Sequence, residues 1–357
     1  MKKILLFTRC MGSGGTEKVI IQLAELYTND GYEVVVCAKF GNGVAELENL
    51  GIKYIEIPDI QNKNPLVILK VLNRLTKILK EEKIDIVHTH HRMAAFYVRI
   101  LKCRYSFLFL NNIHNTFADK KILTKFAFCK AQNIAVGESV KNNMIEDFHI
   151  PEKCIEVIYN AVNIKKDNFS EIPEFIEMKK RGKFIVSNIG RVNTQKGFEY
   201  YIDSAKNLKE KNLPICLFIV GDGIKFEEMR KKVINEKLED WVYFLGFRRD
   251  IADIIFYSDI IVLSSLWEGF PLTPIETFGV GRTIIATKVP GTMEIVRNGY
   301  NGILIPLKDS NAIASAILNV YLDNEKKKML EKNALETYKS KFSYEIFRRS
   351  YLQIIDK

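Results

Sequence analysis

The chain contains no Asp-x-Asp triplet, the carboxylate pair that commonly lets a divalent ion hold a diphosphate. Its six cysteines, at 10, 37, 103, 129, 154 and 216, form no Cys-x-x-Cys pair and no metal-ligand spacing. That excludes a zinc knuckle and a disulfide framework, and it reads as scattered reduced thiols in a cytoplasmic protein. No run approaches the ~20 apolar residues that a spanning helix needs. The opening apolar run, Ile4 to Phe7, stops at Thr8 and Arg9, too short for the core of a secretory signal. A membrane role would therefore be peripheral. The loop Gly12-Ser13-Gly14-Gly15 does not complete a Gly-x-Gly-x-x-Gly fingerprint, and only Asp30 and Glu33 lie near the place of its usual ribose acid. A nicotinamide or flavin cofactor is not expected. The chain also lacks low-complexity tracts, internal repeats and any nucleic-acid fold signature.

What is present fits a folded α/β protein. At 357 residues and 47% apolar composition, the chain is long enough for two domains of ordinary size. The net charge of +10 and pI near 9.1 suit an anionic partner without choosing among nucleic acid, lipid and nucleotide. The charge is local. Residues 99–130 hold seven basic residues against one acid, Asp119, a charge of +6. There Lys120, Lys121, Lys125 and Lys130 alternate with Ile122, Leu123, Phe126 and Phe128, the pattern of an amphipathic surface helix.

Strand-like and helix-like runs alternate from residue 3 to Ile158, lose their rhythm over a polar stretch near 163–182, and resume at Phe184. Two βαβ series imply two parallel, doubly wound sheets, with ligands at the carboxyl ends of strands. The expected division is a first domain over 1–162, a linker over 163–182, a second domain over 183–340 and a C-terminal helix over 341–357.

The motifs fall at those strand ends. The most informative stretch is Glu268-Gly269-Phe270-Pro271-Leu272-Thr273-Pro274-Ile275-Glu276, following the strand Ile260–Leu263 and opening a helix. Free N–H groups at a helix start favour an anion, and a carboxylate on either side accepts hydrogen bonds from hydroxyls. Phosphate with hydroxyls is the outline of a nucleotide sugar. Gly190-Arg191 closes one strand and Lys196-Gly197 opens the next helix. A cation at a helix start is unfavourable unless an anion binds there. Gly221-Asp222-Gly223 closes another strand, Gly14-Gly15-Thr16 follows the first, and Asn298 to Gly302 precedes a late one.

In this order and at these separations the motifs resemble the retaining glycosyltransferases of the family-4 type (glycosyl transferases group 1). The resemblance covers nearly the whole chain, and its most specific parts are the Glu-x7-Glu pair and the Gly-Arg…Lys-Gly pair. It implies the GT-B architecture: two Rossmann-like domains facing across a cleft, with the C-terminal helix crossing back to the first domain. It implies that Glu268 contacts the donor sugar, that Glu276 holds the ribose hydroxyls, and that the amides of Gly269 to Thr273 face the diphosphate. Arg191 and Lys196 would neutralise the leaving diphosphate, with Gly14, Gly15, Gly190 and Gly221 approaching the donor. The chain departs from the family's common form in Thr277-Phe278 after the second glutamate and in Arg282, where a proline is usual.

The run His88-Thr89-His90-His91 invites a metal reading, but i and i+2 share a face only in an extended strand and no third ligand is evident in sequence. No metal is expected. The resemblance instead puts His88, His90 and Thr16 on the acceptor side and His114 beside the reacting sugar and phosphate. The function it implies is metal-independent, retaining transfer of a sugar from a nucleotide sugar, UDP-linked by expectation. The acceptor would be a glycan or a polyprenyl-linked sugar in bacterial surface or capsule polysaccharide synthesis. The expected place is the cytoplasm, with residues 99–130 held against the anionic inner membrane face. A sugar-nucleotide epimerase of the same architecture would need further carboxylates around the sugar. A non-catalytic scaffold would have no need of Glu268, Glu276, Arg191 and Lys196 together.

Overall fold

The structure is a computed structural model describing residues 1–12, 14–164 and 168–356. The chain divides into two units: Met1–Asn160 with Ser350–Lys357, and Ala161–Arg349.

Unit 1 holds a seven-stranded sheet ordered β3-β2-β1-β4-β5-β6-β7. Its strands are β1 (Lys3–Cys10), β2 (Glu33–Lys39), β3 (Lys53–Glu56), β4 (Ile86–Thr89), β5 (Leu108–Ile113), β6 (Gln132–Ala135) and β7 (Ile155–Val157). All neighbours are parallel. Helices cover both faces of such a sheet, so its central strands are continuously apolar. Ile4, Leu5, Leu6 and Phe7 are accordingly all fully buried. The covering helices bury one stripe each. In Pro65–Glu81 the buried residues are Val71, Leu75, Ile78 and Leu79, at helical spacing. That helix starts where the Asn64 side chain accepts from Leu66 N at 2.9 Å, with Pro65 in the first turn, where a missing N–H costs nothing.

Unit 2 holds a six-stranded sheet ordered β10-β9-β8-β11-β12-β13. Its strands are β8 (Phe184–Ile189), β9 (Ile215–Val220), β10 (Val242–Gly246), β11 (Ile260–Leu263), β12 (Ile284–Thr287) and β13 (Gly302–Ile305), again all parallel. In both sheets the strand order reverses at one place, between β1 and β4 and between β8 and β11. Such a reversal opens a crevice at the carboxyl ends of the two strands, because the crossover helices leave to opposite faces.

The stretch expected as a linker, 163–182, includes Lys165 to Asp167, which lie outside the described residues. Its remainder is built into unit 2. Phe169 stacks on Phe256 at 4.3 Å, Pro173–Lys180 is a helix, and Phe175 is fully buried against Phe218 at 4.5 Å. The physical reason is an apolar residue every third position: Phe169, Ile172, Phe175 and Met178. Arg282 has a structural role. Its Nε and Nη2 both donate to Phe256 O, at 3.1 and 2.6 Å, and Nη1 reaches Glu331 at 3.3 Å. Phe256 lies in the last turn of the helix Ile251–Tyr257, where carbonyls lack partners and favour a cation.

Candidate active site

In unit 2 the sequence-derived residues gather at the β8/β11 reversal. After β8, Gly190 and Arg191 lead into a single 3-10 turn, Thr194–Lys196, capped by the Asn193 side chain, which accepts from Lys196 N at 3.2 Å. Gly197 follows in the left-handed conformation, φ 59°, and a Cβ there would lie 2.4 Å from Ser264 O. Only glycine lets the two loops come this close. The loops are stitched further by Ser264 Oγ donating to Lys196 O at 2.9 Å and Leu266 N donating to Gln195 O at 2.7 Å.

This stitching brings Lys196 Nζ to 2.5 Å from Glu268 Oε1, and Ser265 Oγ donates to the same oxygen at 2.6 Å. Their side chains are 17% and 7% exposed, so the pair is well shielded from water. Arg191 is exposed and makes no ion pair among the described residues. The lysine is thus engaged in orienting Glu268, and Arg191 is the cation left open to an anion. The helix Leu272–Gly279 begins beside them with Pro271 at its cap, which supplies no side-chain hydrogen bond to the helix start. Glu276 lies within that helix, 7% exposed. Gly269, Phe270 and Pro271 are buried, while Leu272 and Thr273 are half-exposed. A Cβ on Gly291 would meet Gly269 O at 2.3 Å, so the loop lies directly on backbone.

The neighbouring strand end joins the same site. Val192 N donates to Asp222 O at 2.9 Å and Lys225 N to Val192 O at 3.0 Å. Gly221, φ 140°, packs where a Cβ would overlap Gly190 O. The Asn298–Gly302 motif, by contrast, is a turn: Asn301 is buried and its side chain accepts from Arg297 N and donates to Ile295 O.

In unit 1 the residues gather at the β1/β4 reversal and the end of β5. The helix Gly15–Asn29 starts after β1 with Gly14 at its cap, no side-chain cap and Thr16 half-exposed in its first turn; Ser13 lies outside the described residues. His88 and His90 share one face of β4 and its end, with ring centroids 4.4 Å apart. His114, at the end of β5, stacks on His90 at 5.4 Å. His88 is fully buried, with Tyr27 Oη 3.3 Å from Nδ1 and Asn112 Oδ1 2.9 Å from Nε2, and it packs as a floor beneath His90. Asn112 is held in turn by Tyr351 Oη at 2.6 Å.

Burial drives the His88 imidazole down to about 4. Burial, helped by repulsion from His88 and His91, takes His114 to about 3. Burial and the two flanking rings hold His90 well below the ordinary histidine range. His91 points elsewhere: its Nδ1 accepts from Met93 N at 3.1 Å and caps the helix Arg92–Leu101. Among the described residues no group of three or more His, Cys, Asp or Glu side chains is arranged to hold a metal ion.

Sequence reasoning missed Ser265, Ser264, Asn193, Asn112, Tyr27 and Tyr351. Only Asn193, three residues before Lys196, carried a signal, that of a helix-capping side chain.

The chain is similar in sequence and in fold to known glycosyltransferases. Residues 13–166 match Glycosyltransferase Family 4 and residues 170–337 match Glycosyl transferases group 1. The UDP-Gal:alpha-D-GlcNAc-diphosphoundecaprenol alpha-1,3-galactosyltransferase of Escherichia coli is 28% identical over 89% of this chain and 87% of its own. The uncharacterized glycosyltransferase MJ1069 of Methanocaldococcus jannaschii is 30% identical over 78% of this chain and 70% of its own. The crystal structure of Anabaena HepE in complex with UDP-glucose superposes over the whole of both chains with a TM-score of 0.85 at 21% identity, a likeness of fold. The chain belongs to the family-4 glycosyltransferases of the GT-B fold.

Proposed function

We propose that the protein transfers a sugar, with retention, from a nucleoside-diphosphate sugar to a lipid-linked acceptor. The observation that carries this is the β8/β11 reversal of unit 2. There an unpaired Arg191, the Lys196–Glu268 pair and an uncapped helix start converge within one set of loops. Such a set binds a diphosphate by charge and amide N–H groups, while Glu268 and Glu276 accept from sugar hydroxyls. The acceptor hydroxyl attacks the anomeric carbon from the face that the diphosphate leaves. The new C–O bond forms as the C–O phosphate bond breaks, and the acceptor's proton passes to the departing phosphate oxygen. Preorganised charge stabilises that departure. The similar Escherichia coli enzyme acts on a diphosphoundecaprenol-linked sugar, which supports a lipid-linked acceptor and a UDP-linked donor here.

A surface in unit 1 supports delivery of that acceptor at an anionic membrane. The helix Lys121–Phe128 leaves Ile122 89% exposed and Phe126 exposed beside Lys120, Lys121 and Lys125. Phe96, Ile122, Leu123 and Phe126 with the two lysines line one open groove. Arg99 lies over the Phe126 ring at 5.1 Å. No helix among the described residues is long and apolar enough to cross a membrane.

The test is a panel of nucleotide sugars screened by calorimetry. The best binder is then incubated with diphosphoundecaprenol-linked sugars in detergent, with and without EDTA. The expected result is binding of a UDP-sugar and a lipid product of unchanged anomeric configuration, insensitive to EDTA. Inverted product, or release of free epimerised nucleotide sugar, would overturn it.

A further inference from the structure

His90 sits in the middle of the histidine stack, and its two nitrogens are treated differently. Nδ1 lies 3.1 Å from His114 Nε2. Nε2 is buried with no hydrogen-bond partner among the described residues. The rings are neutral at neutral pH, because burial holds each of them far below the ordinary range. A neutral imidazole carries one proton, on one nitrogen. The contact between the two rings therefore admits two arrangements. If His114 donated, His90 would carry its proton on Nε2 and bury an N–H with no acceptor. If His90 donates, Nε2 is left as a bare lone pair. Orphaned buried N–H groups are the rarer of the two. His88 offers no escape, since Tyr27 and Asn112 already occupy both its nitrogens.

We propose that His90 is a positioning residue that fixes the tautomer of His114: His90 Nδ1–H donates to His114 Nε2, so His114 keeps its own proton on Nδ1 and offers that N–H to the bound ligand. His114 Nδ1 makes no hydrogen bond among the described residues and is not among the sealed polar atoms. A neutral donor at that point fits an oxygen of a sugar hydroxyl or of its phosphate ester. The ligand, though not the tautomer, rests on the sugar-transfer reading above. No proton changes hands in this step; the N–H only donates.

The experiment is long-range proton–nitrogen correlation NMR on the full chain labelled with 15N-histidine, at neutral pH and without substrate. The expected spectrum shows His114 protonated on Nδ1 and bare on Nε2. His90→Asn keeps an N–H near the Nδ1 position and should preserve that pattern. His90→Phe keeps a ring but no donor, and should let the proton of His114 move to Nε2. A wild-type His114 protonated on Nε2, or a tautomer unmoved in His90→Phe, overturns the proposal. If His90→Phe fails to fold, the wild-type and His90→Asn spectra decide. With the best nucleotide sugar, kcat should fall about ten-fold in His90→Phe with KM little changed, and recover in His90→Asn. Equal loss in both variants would mark structural damage and count against positioning. If the wild type turns over no nucleotide sugar, the functional reading fails while the spectra still judge the tautomer.

Discussion

Glu268 and Lys196 share one short contact, and removing either partner acts differently on each half of a donor. Lys196→Ala leaves a shielded carboxylate held by Ser265 and removes a cation near the expected diphosphate. Losing one charge-assisted contact costs roughly 1.5–3 kcal/mol. Lys196→Ala and Arg191→Ala should each weaken nucleoside-diphosphate binding by about that much, measured by calorimetry. Unchanged affinity in both would remove them from the site. Glu268→Gln should keep diphosphate affinity and lose turnover, because its proposed partner is the transferred sugar. The histidines give a second residue-scale expectation. His88 has a folded-state pKa near 4 against an ordinary 6.5, so below 6.5 the unfolded chain takes up protons that the folded chain refuses. Stability is therefore full above that pH and falls as the pH drops toward the folded value. His88 alone accounts for about 2 kcal/mol between pH 6.5 and about pH 5. A urea midpoint that stays flat across that interval would show the ring to be accessible to protons in the fold. The residue types at these sites were legible in sequence because β8 and β9 run directly into glycine, the loop after β11 holds one between Glu268 and Phe270, and β4 and β5 run directly into histidine. The pairings were not. Lys196 and Glu268 are 72 positions apart, and nothing in the intervening chain says that Ser264 and Gln195 bind the two loops together.

Helices and strands were easier to read than the stretch between them. Continuous apolar runs such as Ile215–Val220 could hardly be anything but buried parallel strands, and the structure buries all six residues. The helix Pro173–Lys180 was hidden by its composition, since Lys and Glu dominate its exposed face and suggest a tether. Its energetic weight lies in Phe175. Phe175→Ala removes a fully buried ring packed against Phe218 and should destabilise unit 2 by about 3–5 kcal/mol. Denaturant unfolding followed for unit 2 checks this; a loss under ~1 kcal/mol would mean that the helix is a tether after all. Arg282 belongs to this scale too. Its fork onto the last turn of Ile251–Tyr257 gives a residue that looked foreign to the family a structural role: it closes a helix.

For the molecule as a whole, the proposed membrane contact turns on charge. Lys120, Lys121 and Lys125 stand around exposed Ile122 and Phe126, with Lys130 close in sequence, so at an anionic membrane the proposed electrostatic attraction and apolar insertion would act on one face. Each basic group near an anionic surface contributes about 1 kcal/mol, weakened by salt. Changing those four lysines to Gln should release the protein from acidic liposomes in flotation at low salt, while activity on a short soluble acceptor stays within about two-fold. Wild-type protein that fails to float would leave the surface an ordinary solvated helix. The hydrogen bond from Asn112 to Tyr351 joins residues 239 positions apart within unit 1. Ribosomes release protein from the N-terminus first, so the sheet of unit 1 is complete long before that phenol exists. Until then the amide of Asn112 lacks the phenol that later holds it, and the residue that orients His88 is itself held on one side only. The half of the enzyme made first is thus finished last, and a chain cut short near its end should emerge with a sheet already formed but with its histidine floor unset.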